Sequence, residues 1–228
     1  MPTATFKATL VRVIDSQNPA SPSAGYAVGP NGNTGSQKGR MYRCLLEFNL
    51  NNNPQSGPPI GPGANVTTAD LIRYVTTYIG DVAFPARVDR CTRPFTVNAT
   101  WNKYDGVNDW TTPGGDVDTP SMLYTSPDGD QGDHAITGMV DFVTDALANR
   151  AGIVRLLLRA TDETTTDAHQ YQAEHSFAGR EPRLAVTFEG FATDVMEPGI
   201  RTIPGSRPAR SARAARGAPP AAPARPAR

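Results

Sequence analysis

The chain has 228 residues, enough for one good core or two small ones. Its 21 Gly and 21 Pro suit many short strands joined by turns better than a helical bundle, and no apolar run is long enough for a membrane helix. Net charge is zero but unevenly spread: residues 201–228 carry seven Arg and no acid, which leaves 15 basic against 22 acidic residues in 1–200, a body at −7.

The stretch 5–14 (TFKATLVRVI) is β-branched and partly alternating and predicts a first strand. Turn formers fill 15–38, with a short strand expected at Tyr26-Ala27-Val28. The stretch 40–50 (RMYRCLLEFNL) is a strong strand. Its core face is expected to be Tyr42, Cys44, Leu46, Phe48 and Leu50, with Met41, Arg43, Leu45, Glu47 and Asn49 turned away. Further strands are expected at 70–79, at 84–91 and at 122–125. Pro85 suggests an edge or a bulge in the second of these.

The only long helical signal runs over about 137–149. Met139, Phe142, Val143, Ala146 and Leu147 form one apolar stripe, Thr137 can cap the start, and 149–152 can end it. An apolar strand at 153–158 and an alternating one at 183–188 complete the pattern. Residues 1–190 are therefore expected to form the folded body. Residues 191–228, largely Arg, Ala and Pro, lack the apolar area to offset ordering entropy and are expected to be a disordered or extended arm. The start of the chain has no long apolar segment or small-residue cleavage site, so no secretory leader is expected.

Several motifs occur in a fixed order: YAVG, RCLLEFNL, ADLIRYV, ATWN followed by DWTTPGGD, AITGMVDFVTDAL with GIVRLLLRATDE, and HSFAGREPRLAVTFE. In that order they resemble the DNRLRE-type, carbohydrate-binding-module-like β-sandwich modules, over roughly 5–188. The resemblance implies an all-β fold, a jelly-roll sandwich with one short helix covering an end of the core. Members of that family often sit in secreted multidomain proteins behind a signal peptide. A nearly solitary sandwich with no such signal, followed by a basic arm, resembles instead a bacteriophage virion protein, assembled in the host cytoplasm.

The residues for chemistry are few. His134, His169 and His175 have no metalloprotease spacing, and no GxSxG, P-loop or dinucleotide fingerprint is present, so the chain is read as non-catalytic. Cys44 and Cys91 are too few for a disulfide scaffold; they are either two buried thiols or a bridge in an oxidising milieu. Asp128, Asp130 and Asp133 could hold Ca²⁺ through flexible oxygens, though no closing Glu follows; the alternative is a solvated turn.

Trp101, Tyr104 and Trp110 share one polar loop with Asn102, Asp105, Asn108 and Asp109. An exposed indole there would stack on a sugar face while the polar groups bond its hydroxyls; the alternative is that the indoles plug the core. Arg207, Arg210, Arg213, Arg216, Arg225 and Arg228 make the arm a tether to an acidic protein surface, preferred over nucleic acid because no aromatics are interleaved. The expected function is a structural virion protein, capsid-decorating or tail-associated, homo-oligomeric and bound to other virion proteins. The alternative is a module that binds host surface glycan. No cofactor and no membrane are expected.

Overall fold

The computed structural model describes residues 1–22, 27–31, 40–52, 54–75, 77–79, 85–125, 132–163, 170–172 and 180–190. The chain divides into two units, Met1–Asp194 and Val195–Arg228, and every described residue lies in the first. The arginine arm falls outside the description, as do Asp128, Asp130, His169 and His175.

Among the described residues, twelve strands and one helix follow in order: β1 Thr3–Lys7, β2 Leu10–Asp15, β3 Ala27–Asn31, β4 Arg40–Asn49, β5 Asn65–Val75, β6 Thr77–Ile79, β7 Pro85–Cys91, β8 Val117–Thr125, β9 Gly132–Thr137, α1 Val140–Asn149, β10 Ile153–Ala160, β11 Gln170–Gln172 and β12 Arg183–Glu189. They form an all-β sandwich. One sheet runs β1-β12-β5-β9; the other runs β6-β11-β3-β4-β10-β7-β8, with β2 also on β4. The pairings between these strands are antiparallel.

The core between the sheets is drawn from both. Phe6, Leu71, Leu184, Val186 and Phe188 come from the smaller sheet, and Cys44, Leu46, Phe48, Val88, Leu156 and Leu158 from the larger. Period-two alternation puts these residues on one face of each strand, which is why β4 and β12 are legible as strands. The buried stripe of α1, Phe142, Val143, Ala146 and Leu147, joins the same core.

Several expectations need correction. The strand expected over 5–14 is two strands in different sheets. At the crossing, the Ala8 N–H reaches Pro182 O at 2.9 Å in one sheet and the Thr9 N–H reaches Glu47 O at 2.7 Å in the other. The strand expected over 70–79 likewise divides: β5 begins earlier, at Asn65, and β6 belongs to the larger sheet. β7 is an interior strand, between β10 and β8, not an edge. Pro85 is tolerated because it is the first residue, where no ladder N–H is required, and the irregularity lies further on, at Asp89/Arg90. β8 begins at Val117, five residues before the expected start.

Thr137 does not cap the helix. It ends β9, paired with Asp70. Gly138, at φ 87°, turns the chain, and Met139 takes the cap position with no side-chain hydrogen bond. Met139 is held instead by burial and by its N–H on Ala69 O at 2.8 Å. The expected stop near 149–152 does occur: Arg150 is the C-cap, and the Gly152 N–H returns to Ala146 O at 2.8 Å.

Candidate functional site

The outer face of the larger sheet carries a second core. Ile14, Leu45, Cys91 and Leu157 on the strands meet Phe95, Ala99, Trp101 and Trp110 from the loop after β7. Leu45, expected to point away from the core, is fully buried beneath that loop. The adjacent pairs Leu45-Leu46 and Leu156-Leu157 therefore serve both faces of a sheet covered on both sides.

Residues 92–116 form this cover, and hydrogen bonds within it and one to the turn after β2 define its path. The Asn102 N–H reaches Pro19 O at 3.1 Å, Trp110 N–H reaches Asn102 O at 3.0 Å, and Thr100 N–H reaches Lys103 O at 2.8 Å. Asp105 makes the outermost turn: its Oδ1 accepts from the N–H of Val107 and of Asn108, and its Oδ2 accepts from Asn108 Nδ2. The side-chain bond to Asn108 and the backbone bonds hold the Asp105 carboxyl below its usual range. Lys103 and Asp109 pair at 3.0 Å on the surface.

The indoles are not displayed. Trp101 is 8% exposed and Trp110 4%. Trp110 Nε1 donates to Thr100 O at 2.9 Å, and Tyr104 meets its ring edge-on at 5.7 Å. Trp101 lies under the Arg43 guanidinium at 4.7 Å. The stacking platform expected of Trp101, Tyr104 and Trp110 is thus corrected: the aromatic faces are occupied by the protein itself. Asp105 is bonded by the N–H groups of Val107 and Asn108 and by the Asn108 amide, Asp109 pairs with Lys103, and the Asn102 backbone bonds Pro19 O and the Trp110 N–H.

The Gly114-Gly115 turn locks the loop to the sheet. Both have positive φ, 90° and 116°. A Cβ on Gly114 would lie 2.5 Å from Arg43 Nη1 and 2.9 Å from Trp101 Cζ2, and one on Gly115 would lie 2.3 Å from Leu157 Cδ1. Only glycine allows that approach. Asp116 follows and accepts from the N–H of Thr111 at 3.0 Å, from that of Thr112 at 2.9 Å, and from Arg93 Nε at 3.1 Å. Burial pushes the Asp116 carboxyl up, but these hydrogen bonds outweigh it and the group titrates below its usual value.

Sequence reasoning missed the arginines that surround this cover. Arg43 donates Nε and Nη2 to Glu163 at 2.8 and 2.6 Å and Nη1 to Gly114 O at 2.8 Å. Asp89, buried in β7, accepts from Arg87, Arg159 and Ser121. Arg43 and Arg159 sit two residues along from the Leu45–Leu157 pair, on the same outer face. Their positions in the alternation were the available signal. At the other end of β2, fully buried Asp15 accepts from Arg40, from Asn18 Nδ2 at 2.8 Å and from the Gln17 N–H at 2.9 Å. Burial raises its pKa, and the bonds from Arg40, Asn18 and Gln17 lower it further than burial raises it.

Of the proposed calcium ligands only Asp133 is described. It lies in β9 opposite Tyr74 and pairs with Arg183, so one of its oxygens is engaged by a guanidinium. Among the described residues no cluster of three His, Cys, Asp or Glu is arranged to hold a metal. Cys44 and Cys91 are free thiols in different cores. Burial raises both, Cys91 to about 11. No protein-family model matches the chain, and no curated protein matches its sequence.

Proposed function

We propose that this chain is a non-catalytic structural protein of a bacteriophage particle, capsid-decorating or tail-associated, held to its neighbours by its loops and by the arm 191–228. The observation that supports it is the double cover of the larger sheet. Loop 92–116, the part with the composition of a binding loop, is packed as interior and braced by Gly114, Asp116 and Arg43. Such a body is a stiff block suited to tiling on a surface. The acidic body and the arginine arm supply opposite charges for contacts between copies or with neighbouring virion proteins. The test is sedimentation of the full chain with phage particles, with and without residues 191–228. The reading expects co-sedimentation that drops when the arm is removed. A chain that stays monomeric and never travels with particles contradicts it.

A second reading, adhesion to a host glycan, draws support from a place other than the indoles. A cleft of about 650 Å³ between the β1–β2 crossing and the loop after β4 is lined by Lys7, Thr9, Asn49, Asn52 and Gln55. Side-chain amides and hydroxyls of this kind bond sugar hydroxyls in both directions. Glycan-array binding that disappears with Asn52→Ala and Gln55→Ala would favour it; a flat array would remove it.

A further inference from the structure

The rim of the loop cover holds a second, differently charged cleft. It has a volume of about 550 Å³, and its walls include Arg43, Arg93, Arg159, Asp116, Thr92 and Thr112. The three arginines come from three elements: β4, β10 and the loop after β7. Arg43 and Arg159 share one face of adjacent strands, about 5 Å apart by the spacing of a sheet. Arg93 reaches in from the loop, with its guanidinium 5.7 Å from the Tyr104 ring centre.

The charges in the cleft are unequally used. Among the described residues Asp116 is the one acid in the wall, and its oxygens already accept from Arg93 and two backbone N–H groups. Arg43 has three of its donors engaged, by Glu163 and Gly114 O. Arg159 uses only Nε, on Asp89 at 2.8 Å, and its two terminal amino groups have no partner among the described residues. A guanidinium presents five donors in a fixed fork, so the amino groups of Arg159 are a held, partly desolvated pair of donors facing a basic cleft.

We propose that this cleft binds a tetrahedral oxyanion, the phosphate or sulfate group of a small ester. The planar carboxylates nearby each satisfy arginines along one edge. Arg93 Nη2 also donates to Thr111 Oγ1 at 3.2 Å, so what remains is Arg93 Nη1 from the loop and both amino groups of Arg159 from β10, donors from two directions that suit the outward oxygens of a tetrahedral group. Of the threonines in the wall, Thr92 already donates its hydroxyl to Asp116 O at 3.2 Å, and Thr112 adds a hydroxyl of the kind that bonds such oxygens. This assignment is independent of the virion reading and stands or falls apart from it.

The test is calorimetric titration of the full chain with glycerol 3-phosphate, with glucose 6-sulfate and with neutral glycerol and glucose. The expected result is binding of one or both esters and none of the neutral compounds; which ester binds identifies the source of the oxyanion. Arg159→Gln weakens that binding about tenfold, the loss of one charge-assisted pair, while Asp89 keeps Arg87 and Ser121 and the melting curve stays cooperative. Arg93→Gln, at a half-exposed position, provides a second variant and weakens binding in the same direction. Absence of binding for both esters, or affinity unchanged in both variants, overturns the proposal.

Discussion

The two faces of the larger sheet are buried by different means. The inner face meets another sheet, and its contacts join strands far apart in sequence: Phe6, Leu46, Leu156 and Phe188 converge there. The outer face meets a single loop, in which Trp101 and Trp110 are anchored by hydrogen bonds within some ten residues of themselves. A polar loop with two Trp, one Tyr and several Asn and Asp has the composition of a binding loop. Here its polar groups close its own turns, and its aromatic groups fill the space above Leu45 and Leu157. Composition alone does not tell which way an indole faces; the glycine pair and Asp116, which pin the loop down, do.

If both faces are true cores, truncating either should be costly. Phe48→Ala in the inner core and Trp110→Ala in the outer should each lose about 3–5 kcal/mol of stability by chemical denaturation. A Trp110→Ala cost of less than about 1 kcal/mol, the range of exposed positions, would break the equivalence. The loop's attachment is tested next. Gly115→Ala places a Cβ against Leu157 in a backbone region unfavourable to alanine, and should cost about 2 kcal/mol. The same substitution at Gly63, which has a similar φ but nothing within 4 Å, should cost less.

Acid should separate the faces further. The carboxyls of Asp15 and Asp116 have folded pKa values lowered relative to the unfolded chain. Their contribution is therefore present above about pH 4, the unfolded carboxylate value, and is lost as pH falls through the lower folded values. Thermal melts between neutral and acid pH should show the fall, and Asp116→Asn should flatten its share of it. The smallest effect concerns the thiols. Neither Cys44 nor Cys91 should react with a thiol reagent at mildly alkaline pH in the native chain, and both should react once it is unfolded. Rapid native labelling of Cys91 alone would mean that the outer layer opens while the inner one stays closed.

Much of the inner core could be read from the sequence, because β4, β10 and β12 carry strong apolar patterns and α1 a single stripe. What could not be read were the places where one apolar run passes between sheets. Alternation continues through Ala8 and Thr9 although the hydrogen-bond partners change from Pro182 to Glu47. The Thr137 cap failed for a related reason: β9 pairing extends to Thr137, and Gly138 supplies the turn. The arginines of the outer face were legible only as residues off the core side of their strands. Their convergence depends on a register that pairs Leu157 with Leu45, and no local pattern encodes it.

The most direct test uses the fact that the chain has two tryptophans, both in the loop cover. Acrylamide quenching of their fluorescence should be several-fold weaker in the native chain than in denaturant, with a blue-shifted native emission. Quenching of the native chain as strong as that of the unfolded one would mean that at least one indole is open to solvent, and the outer core would not exist.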